Sequence, residues 1–401
     1  TGSPYQSNSA FALNPDLLEL RPEPEKKDQA AINIFIREQL AWLPDYALFV
    51  TLKQHFKQQP WSQWPEAYRN RHHKELLQFR KQHAAEIEKI VWQQFQLHER
   101  WNEIHQGARD RGIYLFGDMP IFVAYDSADV WANSRQFLLD ENLQPTYVAG
   151  VPPDYFSEQG QRWGNPQYNW EVMQQDNFSW WQSRIRHMLQ LFDIIRIDHF
   201  RGLEACWMIP AEEETAINGF WQKTLGDELL HALQEHIADL PIVAEDLGVI
   251  TPAVRALRDK YELPGMSVLQ FAFDAFDDNP HKPKNFPPNR VAYTGTHDNN
   301  TTVGWFNELQ QHEKDFVFQI LATDYRDDIA NCLVETVLYS NANTAIAPLQ
   351  DLLQLDANSR MNTPGETDNN WKWKFDWSQL NDEICSRVKL HIKQSGRLHE
   401  N

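Results

Sequence analysis

Cysteine is scarce. Three residues, Cys206, Cys332 and Cys385, are odd in number and far apart, with no CxxC pair or metal-ligand spacing among them. This argues against a disulfide framework and reads as reduced thiols. No apolar run approaches the roughly 18–20 residues that a bilayer-spanning helix needs. The start, Thr1-Gly2-Ser3-Pro4-Tyr5, lacks the basic and apolar regions of a secretory signal. Positive charge is short: 37 Lys and Arg against 56 Asp and Glu leave a net charge of -19, the wrong sign for displacing counterions from nucleic acid. No Gly-x-Gly-x-x-Gly follows a strand-like run, which weakens a nucleotide-binding open sheet. No Gly-x-Ser-x-Gly elbow supports a serine-type triad. Solenoid repeats and low-complexity tracts are missing as well. The expectation is a cytoplasmic protein with no cofactor, no metal, no nucleic-acid or membrane partner, and a monomeric or simple homo-oligomeric state.

What is abundant is apolar and aromatic. The apolar content of 42% suits a globular core. Sixteen Trp and twelve Tyr are large core residues for the most part, yet some can serve as flat amphipathic platforms for sugars or interfaces. Arg21 to Asp28, with two prolines and dense charge, reads as a linker. Residues 30 to 110 carry helical spacing, as in Ile87, Ile90, Val91 and Phe95, interrupted by Pro60 and Pro65. From Ile113 onward short apolar runs end in polar or acidic residues: Ile113–Phe116, Ile194–Ile197, Ile242–Ala244, Val268–Phe271, Val291–Tyr293 and Thr344–Ala347. Helical stretches at Trp180–Phe192, Phe220–Ile237, Thr251–Tyr261 and Glu308–Leu321 separate most of them. Strands alternating with helices imply parallel pairing with crossover helices. Residues 124 to 178, rich in Pro, Gly, Asp and aromatics, read as a large loop excursion rather than core. Acids at the C-terminal ends of several strands favour a closed barrel over an open sheet, since a barrel builds its active site there.

Three strand ends carry the chemistry. In Ile194-Ile195-Arg196-Ile197-Asp198-His199-Phe200-Arg201-Gly202, alternation puts Arg196 and Asp198 on one face. An arginine beside an aspartate favours its charged form, so Asp198 is a candidate nucleophile; a structural ion pair is an even alternative. In Pro241-Ile242-Val243-Ala244-Glu245-Asp246-Leu247-Gly248, partial burial of one acid would suit a general acid. The competing reading is acids favoured by a following helix N-terminus, stronger for Asp246 than for Glu245. In Tyr293-Thr294-Gly295-Thr296-His297-Asp298-Asn299-Asn300-Thr301, His297 and Asp298 could grip sugar hydroxyls; a zinc site lacks further ligands at the right spacing. Carboxylates at the ends of three strands match glycosidic bond cleavage, whose retaining form needs a nucleophile and an acid about 5–5.5 Å apart. A stiff loop from Gly150 through Pro152, Pro153, Asp154, Tyr155, Phe156 and Glu158 to Gln161, Arg162, Trp163, Gly164, Asn165 and Pro166 mixes rings, amides and acids, as a water-excluding lid over a sugar would. A packed irregular loop is the bland alternative.

These segments, together with Ser3-Pro4-Tyr5-Gln6-Ser7, Gly117-Asp118-Met119-Pro120-Ile121 and Met361-Asn362-Thr363-Pro364-Gly365, resemble the amylomaltases, the 4-α-glucanotransferases or disproportionating enzymes of glycoside hydrolase family 77. The resemblance implies an α/β fold, a (β/α)8 TIM barrel of the α-amylase type with inserted subdomains. It implies retaining transglycosylation of α-1,4-glucans or maltooligosaccharides. Asp198 would be the nucleophile, Glu245 the general acid/base and Asp298 the transition-state-stabilising acid. Arg196, His297 and Asp118 would hold the sugar at the cleavage point. Ser3, Tyr5, Tyr155, Phe156, Gln161 and Trp163 would line the cleft, with Glu158 in a mobile loop above it. Members carry a further stretch before the Ser-Pro-Tyr-Gln-Ser motif and a longer helical subdomain after Leu20, so the first two barrel strands are expected to lie outside this chain. The implied layout is a start-of-barrel loop at 1–20, a helical insert at 21–112 and a catalytic barrel at 113–401. An α-amylase-type hydrolase and an inactive glucan-binding fragment are the alternatives.

Overall fold

The computed structural model describes residues 6–25, 28–154, 157–237, 239–321, 328–366 and 368–398. The chain divides into two compact units, one of Pro4–Ile242 with Thr251–Leu257, the other of Val243–Ile250 with Arg258–Asn401 and the first three residues.

The first unit begins with the expected helices: Gln29–Glu38, Leu43–His55, Glu66–Arg69, His73–Gln82 and the long Ala84–Arg109. Pro60 and Pro65 interrupt the helical pattern as anticipated, and Pro65 sits immediately before Glu66–Arg69, where its missing N–H is no loss. Leu43, Leu48, Phe49 and Leu52 of the second helix are fully buried. Phe49, Trp64 and Trp131 pack ring on ring at 5.5–5.8 Å, which makes these aromatics core.

Strand Phe116–Pro120 runs parallel to Ile194–Asp198, with Asp118 opposite Arg196 and Pro120 opposite Asp198. Helix Ser179–Leu191 makes the crossover, the βαβ arrangement that strand–helix alternation requires. Gly117 is needed here, because a Cβ would lie 2.4 Å from the Phe192 ring. The strand starts later than the apolar run Ile113–Phe116 suggests. Ile113 and Tyr114 are 52% and 72% exposed, and the polar Gly-Asp-Met stretch takes the ladder instead. Residues 124–178 also differ from the loop expectation. They contribute Tyr147–Val151 and Gln161–Pro166 to a four-stranded antiparallel sheet completed by Ala205–Pro210 and Phe220–Lys223, and they bury Val130, Trp131, Phe137, Val148 and Tyr168. The segment Phe220–Ile237, expected as one helix, is that last strand followed by helix Gly226–Gln234.

The second unit holds three parallel strands, Gly265–Val268, Arg290–Tyr293 and Thr344–Ile346, with Arg290–Tyr293 in the centre. The first two are buried at every residue, as apolar strands covered on both faces should be. Helices Gln311–Leu321 and Ile329–Leu338 supply Val317, Phe318, Leu333 and Val337 to a core with Leu269, Ala272, Phe286 and Ala292. The run Val268–Phe271 is displaced: the strand ends at Val268 and Leu269–Phe271 turns into a short 3-10 helix. The expected helix Glu308–Leu321 is two helices, Thr302–Glu308 and Gln311–Leu321. Ile194, Ile242, Val291 and Thr344 all lie in strands within a residue of the expected bounds. Among the described residues no helix is long and apolar enough to cross a membrane.

Candidate active site

Asp198 is the last residue of its strand. Ile195 and Ile197 are buried at 0% and 1% exposure, and the alternate positions put Arg196 and Asp198 together on the other face. The contact is direct: Arg196 Nη2 lies 2.9 Å from Asp198 Oδ1. Its Nη1 donates to both oxygens of Asp118, at 2.7 and 2.6 Å. One guanidinium, 8% exposed, thus joins two carboxylates that remain 35% and 24% exposed. The planar fork fixes both carboxylates in place. The structure brings Asp118, Arg196 and Asp198 together as the sequence suggests, and it gives Arg196 the added task of orienting Asp198.

Directly after Asp198 the chain breaks sharply. His199 is left-handed, with φ of 55°, an uncommon conformation for a non-glycine residue, and Phe200–Leu203 turns away as a 3-10 helix. Burial, reinforced by the Arg201 charge, pushes the His199 pKa down to about 4. Trp163 meets the His199 ring edge-on at 4.9 Å and donates from Nε1 to Gln161 Oε1 at 3.1 Å. Trp163 therefore meets the residue that follows Asp198, from strand Gln161–Pro166 rather than from an irregular loop. Glu158 lies on an exposed turn, closed by Ser157 Oγ donating to Gly160 O at 2.8 Å. Ser3, Tyr5, Tyr155 and Phe156 lie outside the described residues.

In the second unit the neighbours Glu245 and Asp246 have separate fates. Asp246 accepts from Met266 N at 2.7 Å, from Arg290 Nη1 at 2.6 Å and from Arg258 Nη1. Its side chain is 2% exposed. Gly265 makes room for this cluster, since a Cβ there would lie 2.1 Å from Arg290 Nη1. Two arginines, rather than a helix N-terminus, account for Asp246. Glu245, 9% exposed, accepts from Leu247 N at 2.8 Å through Oε1. The arginine cluster is built on Asp246.

Asp298 sits in a tight loop built on Thr294, whose hydroxyl donates to Asp351 at 2.5 Å. Thr302 N donates to the same carboxylate at 2.8 Å. Burial raises the Asp351 pKa, and these donors hold its carboxylate as the floor of the loop. Asn362 Nδ2 donates to Asp298 Oδ1 at 2.6 Å. Arg360 donates to Asp298 O at 2.8 Å and to Asn362 O at 2.9 Å, so one guanidinium ties the two loops. His297 Nε2 is 3.5 Å from Asp298 Oδ2, and the His297 ring packs on Trp371 at 5.3 Å. Sequence reasoning assigned no role to Arg360, Asn362, Trp371 or Asp351. The only signal was the Met361–Gly365 motif, which gives no partner. Among the described residues no three His, Cys, Asp or Glu side chains cluster as metal ligands.

The family described as 4-alpha-glucanotransferase, glycoside hydrolase family 77, matches residues 21–380. The chain is 41% identical to the 4-alpha-glucanotransferase of Thermus thermophilus across 99% of its own length and 89% of that protein. It is 44% identical to the chloroplastic/amyloplastic 4-alpha-glucanotransferase of Solanum tuberosum across 92% of its length, and spans 64% of that longer protein. Its structure superposes on an amylomaltase from Streptococcus agalactiae in complex with acarbose with a TM-score of 0.93, 31% identity and coverage of 99% and 89%. The amylomaltase from Corynebacterium glutamicum shares the fold at 17% identity, with a TM-score of 0.77 and coverage of 97% and 67%. The chain belongs to the 4-α-glucanotransferase (amylomaltase) family, has the (β/α)8 barrel fold of that family, and is an enzyme that transfers segments of α-1,4-glucan.

Proposed function

We propose that Asp198 is the nucleophile of this transfer, Glu245 its general acid/base and Asp298 the acid that stabilises the oxocarbenium-like transition state. Glu245 protonates the leaving glycosidic oxygen while Asp198 attacks the anomeric carbon, and the cleaved chain departs. The 4-hydroxyl of a second glucan, deprotonated by Glu245, then displaces Asp198 and restores the α configuration. The observation that carries this reading is the Arg196 fork, which holds the Asp198 carboxylate at a strand end beside Asp118. Glu245 directly follows its strand, and Asp298 lies in the loop after another; in a (β/α)8 barrel that end of the strands is where active sites are built. His297 and Asp118 grip hydroxyls of the sugar at the cleavage point. Gln161, Trp163 and Glu158 contact the bound glucan. Transfer outruns hydrolysis because an ordered acceptor sugar competes with water for the intermediate. The working setting is the cytoplasm, on maltooligosaccharides and α-1,4-glucans.

The test is incubation with maltotriose alone. The expected outcome is a ladder of longer and shorter oligosaccharides plus glucose. Conversion to shorter products only, with no chain longer than maltotriose, would make the enzyme a hydrolase.

A further inference from the structure

Beyond the Asn362 turn the chain reads Trp371-Lys372-Trp373-Lys374-Phe375-Asp376-Trp377, an aromatic at every second position with charged residues between. The stretch is neither helix nor sheet until the short 3-10 turn Trp377–Gln379. Its exposure alternates: Trp371, Trp373 and Phe375 are half-buried, while Lys372, Lys374 and Asp376 are exposed. Trp371 itself is left-handed, with φ of 61°; after it, the period of two is the signature of extended chain, whose alternate side chains share a side. The first ring packs on His297 at 5.3 Å. The last, Trp377, is 77% exposed and meets Phe375 at 4.9 Å with the planes at 70°. From Trp371 to Trp377 the backbone reaches at most about 20 Å, the length of several sugar residues.

A single exposed indole on a surface means little. This one is held in place. Asp376 Oδ1 accepts from Ser378 N at 2.8 Å, and Gln379 Oε1 accepts from Asp376 N at 2.8 Å, a reciprocal capping box of the kind that fixes the entry to a helical turn. A large apolar face is kept in water on a capped turn, at the far end of a stretch whose first ring, Trp371, packs on the His297 imidazole. Aromatic faces suit the C–H faces of pyranose rings, while exposed lysines can donate to their hydroxyls.

We propose that Trp371, Trp373, Phe375 and Trp377 form an aromatic track for an α-1,4-glucan chain leading outward from His297, with Trp377 as the outermost contact. The inference rests on the reading of His297 as a sugar-binding residue. Its consequence is chain-length selection: a long glucan reaches the end of the track and a short oligosaccharide does not.

The test compares Trp377→Ala and Trp377→Phe with the parent enzyme, using maltotriose and long-chain amylose as separate donors. The expected result is an amylose KM raised about three- to tenfold in Trp377→Ala, from the loss of one aromatic contact, with kcat held, maltotriose kinetics within about twofold, and Trp377→Phe close to parent. An unchanged amylose KM overturns the track, and so does an equal loss on both donors, which would mark Trp377 as structural. A parent enzyme that makes no ladder from maltotriose fails the functional reading independently of this result.

Discussion

Asn362 Nδ2 stands 2.6 Å from Asp298 Oδ1, joining positions 64 residues apart in the chain. The bond fixes the direction in which the carboxylate faces, and Arg360 holds the two loops in register from behind. A hydrogen bond to a charged group contributes about 1.5–3 kcal/mol. If its worth lies in aiming Asp298, Asn362→Ala lowers kcat by about 10- to 100-fold with a smaller change in KM, measured by transfer from maltotriose. Asn362→Asp places a like charge against Asp298 and is worse than the alanine variant. An Asn362→Ala enzyme with parental kcat would show that Asp298 needs no such support.

Adjacent acids give opposite outcomes. Asp246 is a buried anion clamped by Arg258, Arg290 and the Met266 amide. Removing it takes the Asp246 charge from the buried Arg290, while Arg258 keeps its pair with Asp259 at 2.6 Å; breaking a buried pair on one side costs about 3–5 kcal/mol. Asp246→Ala therefore unfolds at markedly lower denaturant in an equilibrium titration. Glu245→Gln keeps the shape and removes the titrating group, so it unfolds near the parental midpoint and loses transfer. Reversal of the two phenotypes would contradict the division of labour.

The sign of one pH effect is fixed by burial. His187 donates from Nε2 to Phe11 O at 2.7 Å and packs among Phe11, Trp42 and His98, with ring centroids 5.3, 5.4 and 5.7 Å away. Burial first, then the His98 charge, brings its pKa down to about 4. The unfolded chain binds that proton near pH 6.5. The contribution to stability is complete above about pH 6.5 and is lost as pH falls toward 4, by about 3 kcal/mol at most. His187→Gln flattens the decline in unfolding free energy between pH 7 and pH 5. An equally steep decline in that variant would assign the acid sensitivity elsewhere.

The positions of the proposed acids were legible in the sequence where they depend on local pattern. Asp198, Glu245 and Asp298 stand at or beyond the ends of largely apolar strands, and Arg196 lies two residues from Asp198, so one alternation rule pairs them. What joins distant segments was not legible. Nothing in Met361–Gly365 says that Asn362 meets Asp298, and nothing near Glu245 and Asp246 says that Arg290 will clamp the second. The fold follows the same division. Ile194–Asp198 and Arg290–Tyr293 are buried by their own apolar content. Phe116–Pro120 is a strand because Ile194–Asp198 offers it a ladder, and Phe220–Lys223 because Ala205–Pro210 does. In those segments tertiary pairing overrides local preference.

The account turns on Asp198 as the atom-donating partner of the sugar. A fluorinated glucosyl donor that forms the intermediate and stalls before acceptor attack, followed by proteolysis and mass mapping, reads this directly. The account predicts one glycosyl unit on the peptide carrying Asp198 and none in Asp198→Asn. A label on Glu245 or Asp298, or full turnover by Asp198→Asn, would contradict it.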